Sequence, residues 1–304
     1  MNPILAVGSV AFDSIKTPFG EANRVVGGAA TYFAIAASFF TEVRIVAVVG
    51  DDFGANVEKV FGGRTIDLAG LEKVPGETFR WKGEYGFDLN SRETIYTHLN
   101  VFEKFTPKIP PAHVTSPFVF LGNIHPTLQL DVLHQVQTPK LVGADTMNYW
   151  IERTPDELKP VLKRVDVLLI NDSEARELAG EANLVKAARK VQAMGPKTLV
   201  IKRGEHGVLM TRSGGGFFAA PAMPLEEVFD PTGAGDTFAG GFLGYLASCD
   251  AVDDASLARA IIYGSTLASF AVEDFSVDRL LRLTRDEVNV RFSEFKKLTH
   301  FDVV

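Results

Sequence analysis

The sequence predicts an α/β fold, three layers of helix, sheet and helix around a mostly parallel central sheet, with a small antiparallel β lid. Three observations predict it. Short apolar runs recur along the chain, each leading into helix-compatible sequence, as in a parallel sheet covered on both faces. Residues 182–194 carry the helical period, with Leu184, Ala187, Ala188 and Val191 on one face. One stretch, at about 76–101, abandons that rhythm for strict alternation.

Taken in order, residues 3–10 hold a short apolar run ending at glycine, as a buried parallel strand reads. Residues 28–40 read as a helix of small apolar residues, and 43–49 as a second buried strand. Further strand-like runs lie at 117–121, 140–144, 166–170 and 198–202. Between them Phe79, Trp81 and Tyr85 alternate with polar neighbours, then Ile95, Thr97, Leu99 and Val101 do the same, so each of these strands should bury one face. So small a sheet cannot stand alone. It reads as a lid over a ligand, as a homodimer contact, or as a surface hairpin. No repeat, low-complexity tract or linker divides the chain, and the expected organisation is one domain, 1–304, carrying the lid.

Net charge and composition exclude several functions. A charge of −7 argues against a nucleic-acid surface, which needs a basic patch. No apolar run approaches the ~18 residues of a membrane span. Cys249 stands alone and cannot form an internal disulfide, and no export signal is visible, so a reducing, cytoplasmic setting is expected. His98, His113, His125, His134, His206 and His300 are scattered without metal-ligand spacing.

The chemistry concentrates in Asp230-Pro231-Thr232-Gly233-Ala234-Gly235-Asp236-Thr237-Phe238, which leads into small helical residues. Gly233, Ala234 and Gly235 lack bulk, so the chain can turn tightly and present consecutive amides at a helix N-terminus, a site for a terminal phosphate. A carboxylate beside such a site is repelled unless it has a task. Asp236 either takes a proton from a hydroxyl that attacks the phosphate or merely caps the helix.

The nine-residue string resembles the C-terminal signature of the PfkB family of carbohydrate kinases, which includes ribokinase, fructokinases and adenosine kinase. The resemblance extends along the chain in the right order and implies a ribokinase-like fold and an ATP-dependent kinase. Such a kinase phosphorylates a hydroxymethyl group of a sugar, polyol or nucleoside, with Asp236 as general base and the Gly233 to Gly235 amides as anion hole. By the same resemblance Asp13, after Gly8-Ser9, holds substrate hydroxyls, and Gly27-Gly28 lie beneath the substrate. Asn171-Asp172-Ser173-Glu174 matches the Asn-x-x-Glu motif, in which Asn171 and Glu174 organise magnesium, water and phosphates, although alone it reads as a helix cap. Lys202, Gly204 and Gly207 occupy the family's nucleotide loop, where the lysine meets phosphate or faces solvent. Thr232 and Asp230 lie where some relatives bind a monovalent cation such as potassium through backbone oxygens. Asp145-Thr146-Met147-Asn148 loosely resembles an Asp-x-Asn pattern.

One position departs from the family. Where ribokinase-like relatives carry a sugar-binding asparagine, this chain has Tyr32, whose ring can stack on a base or pack in the core. That departure favours a nucleoside or cyclic polyol over free ribose. A non-catalytic nucleotide or sugar sensor on the same scaffold is the reading from another class, and an intact Asp236 argues against it.

Overall fold

Ile4 to Val7 form β1 (Ile4–Val7), a strand with no exposed side chain. Its Ile4 and Ala6 join one apolar cluster while Leu5 and Val7 join another, because successive side chains point to opposite faces of a strand. The structure, a computed structural model, describes residues 2–299; His300 lies outside the described residues. The first half continues with β2 (Ala11–Thr17), β3 (Gly20–Gly27), α1 (Ala29–Ala37), β4 (Val43–Val49), α2 (Gly54–Phe61), β5 (Ile66–Lys73), β6 (Phe79–Tyr85) and β7 (Arg92–His98). The alternating units follow: β8 (Phe118–Leu121), α3 (Pro126–Gln135), β9 (Leu141–Ala144), α4 (Asn148–Arg153), α5 (Pro155–Leu162), β10 (Val167–Asn171), α6 (Asp172–Ala179), α7 (Leu184–Gln192) and β11 (Thr198–Lys202). The chain closes with β12 (Val208–Arg212), β13 (Phe217–Ala220), α8 (Ala234–Cys249), α9 (Asp254–Ala271), α10 (Asp278–Leu281) and α11 (Arg285–Thr299).

Nine strands build the main sheet in the order β13-β12-β11-β10-β9-β8-β1-β4-β5. All neighbours run parallel from β11 to β5, and only β12 reverses direction. On one face α1, α8 and α9 bury Phe33, Ile35, Phe242, Leu243 and Ile261, and the Phe33 ring stacks on Phe120 at 4.0 Å. On the other, α3, α5 and α7 bury Val132, Leu158, Val161 and Val191 against Leu121 and Ile201. The carboxyl ends of β1, β8, β9, β10 and β11 share one edge, where open α/β sheets bind ligands.

The lid differs from its expected form. Four strands make it, in the order β3-β2-β6-β7, so residues 11–27 supply half of it and Asp13 lies within a strand rather than in a loop. Its central pair, β2 and β6, is parallel. The expected buried face of the second alternating stretch is also corrected: Ile95 is 48% and Leu99 43% exposed. Pairing of β6 with β7 shifts between Lys82 and Gly83, so Lys82 faces Tyr96, Gly83 faces Thr94, and Ile95 is the extra residue. The one-residue bulge breaks the alternation, so Arg92 and Thr94 before it line the same cavity as Thr97 and Leu99 after it. Val101 falls in a short 3-10 turn, Asn100–Lys104, beyond the strand.

Candidate active site

The turn into α8 is built by glycine. Gly233 has φ +75°, left-handed backbone that other residues enter only at a cost, and it ends the loop so that α8 starts at Ala234. A side chain at Gly233 would also collide with the Tyr32 ring, whose atoms lie 2.4 Å from the point a Cβ would occupy. The Ala234 amide, expected in the anion hole, instead donates to the Pro231 carbonyl at 3.2 Å, while the Gly235 and Asp236 amides have no backbone acceptor among the described residues. Free amides at the start of a helix of 16 residues are a ready anion site.

Asp236 sits in the first turn of α8, on the wall of the cavity. Loss of water around its carboxyl, and then the charge of Asp145, raise its pKa to about 7 against the opposing pull of Lys202 and Arg92. Asp13 approaches from β2. Burial first, then the charges of Asp230 and Asp236, raise it to about 7, while the Gly28 amide and Arg92 hold it down. Asp13 explains its glycine partner: a Cβ on Gly27 would lie 1.8 Å from Asp13 Oδ2. Gly28, with φ +96°, turns the chain from β3 into α1. Ser9 braces the same corner, its hydroxyl accepting from the Ala29 amide at 3.1 Å.

Asn171 and Glu174 form a capping box on α6. Asn171 Oδ1 accepts the Glu174 amide at 2.8 Å, and Glu174 Oε2 accepts the Asn171 amide at 2.8 Å. Both still line the cavity. Burial, then Asp145, raises the Glu174 pKa to about 7, with Lys202 opposing. Lys202, at the end of β11, donates to Asp145 Oδ2 at 3.2 Å and is largely enclosed rather than facing solvent. Burial opposes its charge, but Asp145, Glu174 and Asp236 carry its pKa above the ordinary lysine value.

The remaining expected residues take other stations. Thr232 lines the cavity, and its hydroxyl donates to the Tyr85 hydroxyl of the lid at 3.0 Å. Asp230 is buried. Burial raises its pKa, and its two oxygens accept the Thr232 amide at 2.8 Å and the Ser276 amide at 3.2 Å. Tyr32 is buried at the cavity wall, and its hydroxyl has no hydrogen-bond partner. Gly204 and Gly207 do not line the cavity. Gly204 sits against the lid's Asn90, and Gly207 packs its backbone on the end of β13, where a Cβ would lie 2.1 Å from the Ala220 carbonyl.

Those of them that line it enclose a cavity of about 880 Å³ between the sheet edge and the lid. Phe79, Trp81 and Tyr85 line it from β6. Arg92, from β7, is a cavity residue the sequence reading did not find: it lines the cavity, lies over the Trp81 ring at 5.2 Å, and lowers the pKa of Asp13, Glu174 and Asp236. Its only sequence signal is a cation in an alternating strand, which reads equally well as solvent-facing. Asn123 and Trp150 form a further wall, the Trp150 indole donating to Asn123 Oδ1 at 2.8 Å. Among the described residues no group of three or more His, Cys, Asp or Glu is arranged to hold a metal ion, and no helix is long and apolar enough to cross a membrane.

Residues 2–281 match the family model described as pfkB family carbohydrate kinase. The chain is 31% identical over 250 residues to the cytidine kinase of Thermococcus kodakarensis, with 80% of this chain and 88% of that protein covered. It is 27% identical over 283 residues to the 2-dehydro-3-deoxygluconokinase of Thermoproteus tenax, covering 86% of each. Among solved structures, the Methanocaldococcus jannaschii nucleoside kinase superposes with a TM-score of 0.77 at 20% identity, over 97% of this chain and 99% of that one. The ribokinase of Cryptococcus neoformans in complex with ADP does so with 0.78 at 21%, over 96% and 100%. These two likenesses show the fold.

Proposed function

This chain belongs to the pfkB family of carbohydrate kinases, and on that premise we propose that it transfers the γ-phosphoryl group of ATP to a hydroxymethyl group of a small sugar or sugar-like alcohol. The observation that carries this reading is Asp236, a carboxyl whose pKa is raised to about 7, beside the unpaired amides at the start of α8. A base with that pKa takes a proton near neutral pH. Asp13 orients the acceptor, and Asp236 accepts the proton of the attacking hydroxyl as the new O–P bond forms and the bond to the ADP oxygen breaks. The Gly235 and Asp236 amides, with Lys202, stabilise the charge on the transferring group.

Magnesium, when bound with ATP, neutralises charge on the phosphates. The residues present fit an ion carried by the triphosphate and water, with Glu174 reaching it through water, since no acidic cage exists among the described residues. Asp230 spends both oxygens on loop amides, so a potassium ion here would rest on backbone oxygens.

A nucleoside acceptor is the second reading. It is supported by the aromatic cavity wall of Tyr32, Phe79, Trp81, Tyr85 and Trp150, and by the similarity to a cytidine kinase. The test is ADP release from Mg-ATP with cytidine, adenosine, 2-dehydro-3-deoxygluconate and ribose in turn, beside Asp236→Asn. One acceptor should stimulate release, and the variant should lose roughly 10²–10⁴ of that rate. Normal ATP binding with no stimulation by any acceptor would favour a sensor. Near-wild-type turnover in the variant would remove Asp236 from the mechanism.

A further inference from the structure

The Lys202 ammonium lies 3.0 Å from the point a Cβ on Gly235 would occupy, so it is pressed against the turn that presents the free amides. It is not free to move there. Asp145, at the end of β9, holds it at 3.2 Å, with side chains only 17% and 10% exposed. Asp145 is itself fixed. Its Oδ1 accepts the Thr146 amide at 2.8 Å, and its carbonyl accepts from Gln129 at 2.9 Å. Gln129 is buried and also binds the Gly122 carbonyl at 2.9 Å, which pins the ends of β8 and β9 together. A buried ion pair adds little to stability over a well-packed apolar pair, so its place beside Asp236 points to a role other than stability.

We infer that Asp145 is a positioning residue, holding the Lys202 ammonium against Gly235 where the transferred phosphoryl group would sit and balancing the charge beside Asp236. The inference rests on the kinase reading for its purpose, though not for its first test. Asp236 is faced by Asp145 from β9, Lys202 from β11, Arg92 from β7, Asp13 from β2 and Tyr32 from α1. Asp145 and Lys202 act on it with opposite sign. Removing Asp145's charge should therefore lower the pH at which Asp236 titrates, and removing Lys202's charge should raise it. The opposition shows that both charges reach Asp236, and the loss of turnover in the second test separates positioning from a structural role.

The first test needs no ATP. In protein labelled with ¹³C-aspartate, the Asp236 carboxyl is identified by its loss in Asp236→Asn and followed against pH. Its midpoint should fall in Asp145→Asn and rise in Lys202→Met. Each direction is decisive alone, so one variant suffices if the other does not fold. A midpoint unmoved in a folded variant, or moved the same way in both, overturns the inference. The second test uses whichever acceptor the wild type phosphorylates. Asp145→Asn should lower kcat about 10–100-fold without raising the KM for ATP, and its effect should be several-fold smaller in the Lys202→Met background. Additive losses would overturn it. Opposed midpoints in a protein that turns over no acceptor would count against the proposed function and leave the pair standing.

Discussion

At the scale of single residues, the site holds groups that weaken the protein without ligand. Tyr32 is the plainest case. Its hydroxyl is buried with no partner, and burial together with Asp230 and Asp13 keeps its pKa well above the ordinary tyrosine value. An unsatisfied buried polar atom costs about 1–3 kcal/mol. Tyr32→Phe should therefore melt a few degrees higher than the wild type in the absence of ligands. If the free hydroxyl serves the acceptor, the same change should raise the acceptor KM about tenfold or more. A lower melting temperature would show that the hydroxyl is satisfied by water, and an unchanged KM would remove it from recognition. Gly27 illustrates the converse, a residue whose value is the space it leaves for the Asp13 carboxyl.

Among elements, the lid and the turn before α8 are coupled. Thr232 of the turn donates to Tyr85 of β6, and the lid's Asn90 meets Gly204 after β11. The four-stranded lid thus touches both the turn before α8 and the loop after β11 while its aromatic residues line the cavity. A closed lid excludes water that would otherwise accept the phosphoryl group. Tyr85→Phe keeps the ring and removes the tether to Thr232. Inorganic phosphate released per phosphorylated acceptor should rise several-fold in that variant, read by assaying both products in one reaction. An unchanged ratio would mean that this hydrogen bond does not govern closure.

The whole molecule pays in neutral solution for gathering carboxyls at one sheet edge. Asp13, Glu174 and Asp236 are each raised to about 7 in the folded protein, above the usual carboxylate range. A group whose folded pKa is raised binds its proton more tightly when folded, so its contribution to stability is present at low pH and lost as pH rises through about 7. Glu287, lowered to about 2 by Thr284 and Arg279, acts in the opposite sense and loses its contribution only in strong acid. The ligand-free protein should therefore melt at a higher temperature at pH 5.5 than at pH 8, and Asp236→Asn should shrink that difference. Scanning calorimetry at the two pH values checks both. A wild type more stable at pH 8 would show that these carboxyls ionise freely.

Much of this was legible in the residues before any coordinates. The glycine turn into α8 could be read because Gly233, Gly235 and Asp236 are neighbours in sequence, and α8 places them by local geometry alone. The central strands could be read because a strand buried on both faces is a continuous apolar run, as at 198–202, where β11 lies. Asn171 to Glu174 announced a helix start for the same local reason. The rest depended on segments far apart in sequence. Pairing of β2 with β6 carried Asp13 and half the lid into one sheet, and a bulge at Ile95 brought Arg92 and Thr94 to the cavity side. Arg92 became a site residue, and Asp145 the partner of Lys202, only when the lid and strand ends met. Local order along the chain determined which groups the protein owns and which turn presents them. Their charge states were decided by tertiary structure, because burial and the distance between charges are set by packing that no stretch of sequence contains.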